Sequence, residues 1–182
     1  MKTTRTAALE NLAQVFRTKG YSGSTMAELA RTVGIQKSSL YHLFPGGKEE
    51  MGRAVLEQVR AQSIKPSVIE PLLSDRAPAD RLGLVINNLR AFYRDGRLSC
   101  LLDVMSIGEG ADLFQEDFSG DMRSLIDAFA QLAKDAGYPA KGASLLGEEA
   151  VASIHGSLIL SRAMNDEGPF LRALESLPEK LL

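Results

Sequence analysis

The sequence predicts an all-α protein, and three observations carry that expectation. Apolar residues recur at helical spacing along nearly the whole chain, as at Leu9, Leu12, Ala13 and Phe16. No stretch alternates apolar and polar residues as a half-buried strand would. Glycines and prolines punctuate the periodic runs as stops and starts.

Each element has its own signals. The first helix closes at Lys19-Gly20, a basic last turn followed by a glycine stop. Thr25 and Glu28 have capping-box spacing, so a second helix starts near Thr25 and ends by Val33, before Gly34. A third spans about Gln36 to Leu43, because the residue before Pro45 is pushed out of helical geometry. A fourth, GGKEEMGRAVLEQVRAQ, opens with Glu49 and Glu50, where the macrodipole favours acids. Pro66, Pro71 and Pro78 then interrupt the chain and predict a hinge or linker between two units. Beyond it, PADRLGLVINNLRAFYRDG starts with proline and ends in glycine. SCLLDVMSI is a short apolar helix, and SGDMRSLIDAFAQLAKDAG is amphipathic through Met122, Leu125, Ile126, Phe129 and Leu132. GASLLGEEAVASIHGSLILSRAMND is long and apolar on more than one side, and EGPFLRALESLPEKLL supplies a last helix.

Helices two and three are short and joined by a tight glycine turn, the helix-turn-helix arrangement. That arrangement needs a small residue where the two helices meet, a residue tolerant of positive φ after it, and a buried apolar residue on the third helix. Ala30, Gly34 and Leu40 stand at those places, with Leu29, Val33, Ile35 and Leu43 as apolar support. If Leu40 and Leu43 face inward, the outward face of helix three presents Lys37, Ser38, Tyr41 and His42, with Gln36 and Ser39 at its edges. All of these hydrogen-bond readily to phosphates or base edges, and none is acidic. The alternative is a solvated surface helix, but so short a helix with so little apolar surface is not stable unless partners hold it. Lys48 is a cation in the first turn of helix four, where the macrodipole disfavours it. Either an external anion explains it, or Glu49 and Glu50 compensate.

The stretch STMAELARTVGIQKSSLYHLFPGGKEEM resembles the DNA-binding domain of TetR-family transcriptional regulators, over residues from about Thr6 to Val59. The resemblance implies phosphate contacts from Thr25, Tyr41 and Lys48 and base reading from Gln36, Lys37, Ser38 and His42, with Ser39 beside them. Two departures stand out. Gln36 replaces the usual serine N-cap of helix three and is a poor cap. The PGGK loop is one residue longer than the common form, and resembles that of the LmrA/YxaF-like subgroup.

The resemblance divides the chain into a helix-turn-helix domain at 1–47, a connecting helix four at 48–65, and an effector-binding and dimerisation domain at 66–182. The family arranges its ligand among helices that here carry Phe92, Leu102, Met105, Phe118, Met122, Phe129, His155 and Leu158. Met and Phe at such spacing also read as plain core, and His155 as a satisfied core or interface histidine. The long helix has more apolar circumference than one domain core needs. Ala152 and Gly156 allow close helix approach; with Ile159, and with Phe170 and Leu174 after Gly168, they predict a four-helix interface across a two-fold axis. A fully buried helix of a monomer is the other reading.

Charge and composition fit this division. Residues 1–65 carry ten Lys/Arg against five Asp/Glu, whereas the remainder is acidic, within a net charge of −2. The single cysteine, Cys100, excludes an internal disulfide framework and a cysteine-based zinc site; in its apolar run it reads as an inert buried thiol. No run approaches 18 apolar residues and no signal peptide is evident, which predicts a cytoplasmic protein that neither spans nor binds a membrane. With only His42 and His155, and no Glu-x-x-His spacing, a di-metal helical enzyme lacks its ligands. The expected protein is therefore not an enzyme and needs no cofactor or metal. It is expected to be a homodimeric regulator, in the family's commoner mode a repressor, that binds a palindromic double-stranded DNA operator and is released by a small lipophilic effector. A helical small-molecule or metal-binding enzyme and an effector-independent architectural DNA-binding protein are the alternatives.

Overall fold

The computed structural model describes residues 4–182, and every regular element among them is helical. In chain order these are α1 (Arg5–Lys19), α2 (Met26–Val33), α3 (Lys37–Leu43), α4 (Gly47–Val59), a π-helical segment (Arg60–Ile69), α5 (Glu70–Leu72) and α6 (Pro78–Tyr93). A tight 3₁₀ turn (Arg94–Gly96) comes next, then α7 (Leu101–Met105), α8 (Glu109–Leu113), α9 (Gln115–Asp135), α10 (Ala140–Met164), α11 (Gly168–Glu175) and α12 (Leu177–Leu181). The chain forms two compact units. One joins the chain up to Arg60 with Cys100–Phe118; the other joins Ala61–Ser99 with Ser119–Leu182. The geometric division therefore differs from cuts at 47 and 65, because residues 100–118 return to the first unit.

In the first unit, the Thr4 hydroxyl accepts the Ala7 N–H at 3.3 Å and caps α1. Gly20 ends that helix with φ +69°, and a Cβ there would sit 3.1 Å from the Val104 carbonyl oxygen. Leu12, Phe16, Leu29, Leu40, Phe44 and Met51 fill the core from α1 to α4, and Met105 and Phe114 complete it from the second stretch. Gly52 makes the room for this: a Cβ would come within 2.6 Å of Phe114 Cζ. The rings of Tyr21 and Phe114 meet edge to face at 5.1 Å, and Phe114 meets Phe118 at 6.0 Å.

The second unit packs α6, the body of α9, α10 and α11. Gly147 lets α10 approach α9 closely, since a Cβ there would lie 2.4 Å from the Ile126 carbonyl oxygen. Arg81 is 4% exposed and donates from Nη1 to the Leu72 carbonyl and to Asp135 Oδ2, each at 2.8 Å. That bond, with a second from Gln131, holds the Asp135 carboxyl below the usual carboxylate range. The proline region does not break as expected. From Gly47 to Leu72 the helix is continuous, and it passes Pro66 by widening into π geometry. Proline lacks the N–H that an α-helix requires and its ring collides with the carbonyl four residues back, so a wider turn relieves both problems. The last predicted helix is instead two, α11 and α12, with Pro178 in the first turn of the second.

Candidate nucleic-acid interface

Gly34 sets the angle between α2 and α3. It takes φ +78°, ψ +29°, and its N–H and that of Ile35 both reach the Ala30 carbonyl, at 3.0 and 3.1 Å. A Cβ on Gly34 would meet nothing within 4 Å, so glycine is required there by conformation and not by space. Leu40 and Phe44, both fully buried, fix α3 to its scaffold, with Ile35 and Leu43 half-buried beside them. Gln36 precedes the helix in extended geometry and makes no side-chain cap.

The remaining face is open. Gln36, Lys37, Ser38, Ser39, Tyr41 and His42 are all exposed, and among the described residues none of their side chains is hydrogen-bonded or ion-paired. Tyr41 stands 47% exposed, with Gly47 behind it: a Cβ there would lie 3.5 Å from the ring. Gly47 itself needs φ +66°, and the Gly46 N–H is tied to Glu50 Oε2 at 2.7 Å, so the longer loop is an ordered turn. Thr25 is exposed at the α2 N-terminus and accepts the Glu28 N–H at 3.3 Å. Glu28 does not close the capping box; its carboxylate pairs with Lys19 at 2.5 Å.

Lys48 sits differently from the others. Its ammonium donates to the Tyr21 and Ser24 carbonyls, at 3.1 and 3.3 Å, and lies 4.1 Å from the Tyr21 ring centroid. Glu109 approaches to 4.0 Å, and the lysine side chain is 22% exposed. Backbone carbonyls therefore supply the negative partners that an external anion was invoked to provide. Burial, and the nearby Glu49 and Glu109 carboxylates, raise the Tyr21 hydroxyl pKa. The Ser22 hydroxyl accepts the Glu109 N–H at 3.1 Å, so the turn that holds Lys48 is pinned from α8. Arg5 is likewise engaged, with Glu50 at 2.8 Å and over the Phe44 ring at 4.7 Å. Sequence reasoning missed Tyr21 and Ser24, whose carbonyl acceptors leave no residue signature, and Ser22 and Glu109, which only the fold brings together.

In the second unit, Phe129 and His155 line a small, mostly apolar cavity of about 20 Å³ together with Ile64, Val68, Leu89, Tyr93, Leu125, Val151 and Ile154. Of the other residues expected at a ligand, Leu158 is fully buried, and Phe92 and Met122 are half-buried outside the lining. Leu102, Met105 and Phe118 belong to the first unit and are buried there. Helical spacing marks them as apolar but does not say which core they join. A separate polar hollow of about 300 Å³ is bordered by Arg97, Arg162, Asn165 and Glu167, and its guanidiniums are already engaged by Glu167 and by the Ser99 hydroxyl.

The outer side of α10 is apolar. Leu145, Ile159, Leu160 and Met164 are about half or more exposed, and Ala152 and Gly156 lie open between them. A Cβ on Gly156 would meet nothing within 4 Å. Phe170 and Leu174 point the other way and are buried within the unit. Among the described residues no helix is long and apolar enough to cross a membrane.

The family model described as bacterial regulatory proteins, tetR family, matches residues 8–55. The chain is similar over nearly its whole length to an uncharacterized HTH-type transcriptional regulator, YxaF, of Bacillus subtilis: 22% identity, covering 96% of this chain and 93% of that protein. Its fold resembles that of a TetR transcriptional regulator from Legionella pneumophila, with a TM-score of 0.85 and 16% identity over 100% of this chain and 99% of that one. It also resembles a cysteine mutant of the TetR family regulator CifR complexed with 26-base-pair operator DNA, with a TM-score of 0.80 and 18% identity over 100% and 98% of the two chains. These relatives are regulators, not enzymes.

Proposed function

We infer the working of this chain from the TetR family of bacterial regulatory proteins, to which it belongs as a DNA-binding transcriptional regulator. Two copies bind a palindromic operator in the cytoplasm, each laying α3 in a major groove, and a small lipophilic effector releases them. The observation that carries this reading is the α3 face: five exposed polar side chains and a tyrosine, no acid, and no intramolecular partner among the described residues. Lys37 supplies the cation, Tyr41 and Thr25 reach phosphates, and Gln36, Ser38, Ser39 and His42 meet base edges. Lys48 serves this face indirectly, by fixing the turn before α2. The exposed apolar stripe on α10 supports a dimer, whose two-fold axis would set the half-sites one DNA turn apart, about 34–36 Å. Repression is the mode in which such a dimer excludes polymerase from its operator.

Fluorescence anisotropy on a duplex from upstream of its own gene tests the reading. Lys37→Ala should flatten the salt dependence of binding by about one unit of log–log slope. Tyr41→Ala should weaken binding about tenfold, the worth of one charge-assisted hydrogen bond of about 1.5 kcal/mol. Wild-type affinity in both variants would sink the docking. A second reading, an effector-independent architectural protein, draws support from the cavity, since about 20 Å³ holds little more than one water. A thermal-shift screen of lipophilic compounds separates the two, because a bound effector raises the melting temperature by mass action.

A further inference from the structure

A ligand of drug size occupies about 300–1,000 Å³, so a cavity of about 20 Å³ admits one only if a wall gives way. Three of its walls are regular helices. Leu89 and Tyr93 come from α6, Leu125 and Phe129 from α9, and Val151 and Ile154 from α10. The fourth wall carries Ile64 and Val68 and is the π-helical segment Arg60–Ile69. π turns are rare, usually single, and concentrated at functional positions; here the segment runs for ten residues.

Specific contacts hold it in that form. Pro66 denies the α-helix its hydrogen bond and obstructs the carbonyl at position 62. Asn88, from α6, donates Nδ2 to the Ser67 carbonyl at 2.8 Å, inside the π segment. Just beyond it, Arg81 grips the Leu72 carbonyl at 2.8 Å. The wall is thus kept wide by two side-chain donors and one missing amide, which are local and separable causes.

We propose that the π segment is the movable wall of the cavity, a two-state helix that is π when the cavity is closed and tightens toward α when an uncharged apolar ligand displaces Ile64 and Val68. The inference rests on the effector reading above and supplies its gate. The lining sets the ligand chemistry: eight of its nine side chains are aliphatic or aromatic, and apart from the imidazole of His155 none offers a charge, so an uncharged apolar ligand fits it best. Adding or removing one residue in a helical turn rotates the two flanking stretches of helix against each other by about 100° and shifts them by about 1.5 Å. Because α4 runs into the segment without a break, that rotation enters α4 directly. Met51, Val55 and Leu56 of α4 are core residues of the DNA-reading unit, and in this scheme the closed π form is the operator-binding one. Pro66 and Asn88 are positioning residues in this scheme; neither needs to touch the operator.

Three measurements on full-length Pro66→Ala and Asn88→Ala test it, with exposed Lys65→Ala as the control. They are hydrogen exchange over residues 60–72, anisotropy on the operator fragment, and uptake of the uncharged fluorophore N-phenyl-1-naphthylamine. Restoring the amide in Pro66→Ala should slow exchange within 60–72, which simple destabilisation would not do. Both variants should take up the probe at least about fivefold more tightly, because the open state no longer has to be populated from a small fraction, and should bind the operator at least about tenfold more weakly. Exchange and probe uptake within twofold of wild type in both variants overturns the movable wall, as does altered exchange without altered probe uptake. If the wild-type chain binds no operator while exchange and probe respond as expected, the regulator reading fails and the gate stands.

Discussion

The two units bury their helices by different means. The first closes around aromatic rings, with Tyr21, Phe114 and Phe118 in edge-to-face chains, and ties its surface with cations: Lys48 on two carbonyls, Arg5 on Glu50 and Phe44, and Arg53 on Glu49 and Asp117. The second has edge-to-face pairs of its own, Phe92 with Tyr93 and Tyr93 with Phe170, but packs them beside a nearly filled cavity, uses one buried guanidinium, and tolerates ten residues of π geometry. A reading surface gains from rigidity, since base edges and phosphates must be met at fixed positions. A ligand-responsive body gains from a wall with two available geometries. The contrast is one of regular α-helices throughout against a core with one π-helical wall.

The largest effect should come from Phe114→Ala. This fully buried ring belongs to the returning stretch of the first unit, and its loss should cost about 3–5 kcal/mol in urea unfolding. A loss below about 1 kcal/mol would mean that residues 100–118 are not part of that core, and the contrast would collapse.

Asp135→Asn removes the carboxylate partner of the buried Arg81 and should cost about 1 kcal/mol at neutral pH, since the carboxylate itself is partly open to solvent. The carboxyl of Asp135 is held low by Arg81, so its contribution is complete above the unfolded value near 4 and fades as pH falls through the lower folded value. Urea midpoints at pH 7 and pH 3 should therefore differ more for wild type than for the variant; an equal difference would rule the pair out as a source of stability.

Lys48→Met keeps a stem over Tyr21 but removes the ammonium, and should cost about 1 kcal/mol: the Ser24 carbonyl loses its lysine donor, while the Tyr21 carbonyl keeps only the Ser24 N–H. Unchanged melting with weaker operator binding would instead make Lys48 a free phosphate contact. The smallest effect should be a gain: Gln36→Ser supplies the missing cap of α3, worth about 0.5–1 kcal/mol in calorimetry. No gain would show that another group already caps it.

How much of this was legible depends on what each feature leaves in the residue types. The turn into α3 was readable because Gly34 answers a conformational demand that few other residues meet, and because Ala30 and Leu40 stand at fixed distances from it. The α2 start was readable through Thr25, though Glu28 turned to Lys19 instead of closing the box. The destination of Leu102, Met105 and Phe118 was not readable, since an apolar side chain carries no label for one core over another. The proline signals were seen and their effect inverted. Pro66 disfavours α geometry, but a continuous helix can widen as well as stop. Lys48 looked like an anion contact because its partners are carbonyls, which every residue possesses.

The divided core of the first unit bears on how the protein is made. It draws on residues up to Arg60 and again on Cys100–Phe118, so a ribosome that has released the helix-turn-helix has not yet released the rings that complete its core. Nearly sixty further residues must emerge, a delay of roughly 3–12 s at bacterial synthesis rates of about 5–20 residues per second. Until then Gly52 and Tyr21 face an unfilled space, and a nascent chain should acquire its grip on DNA only after Phe114 and Phe118 have cleared the exit tunnel.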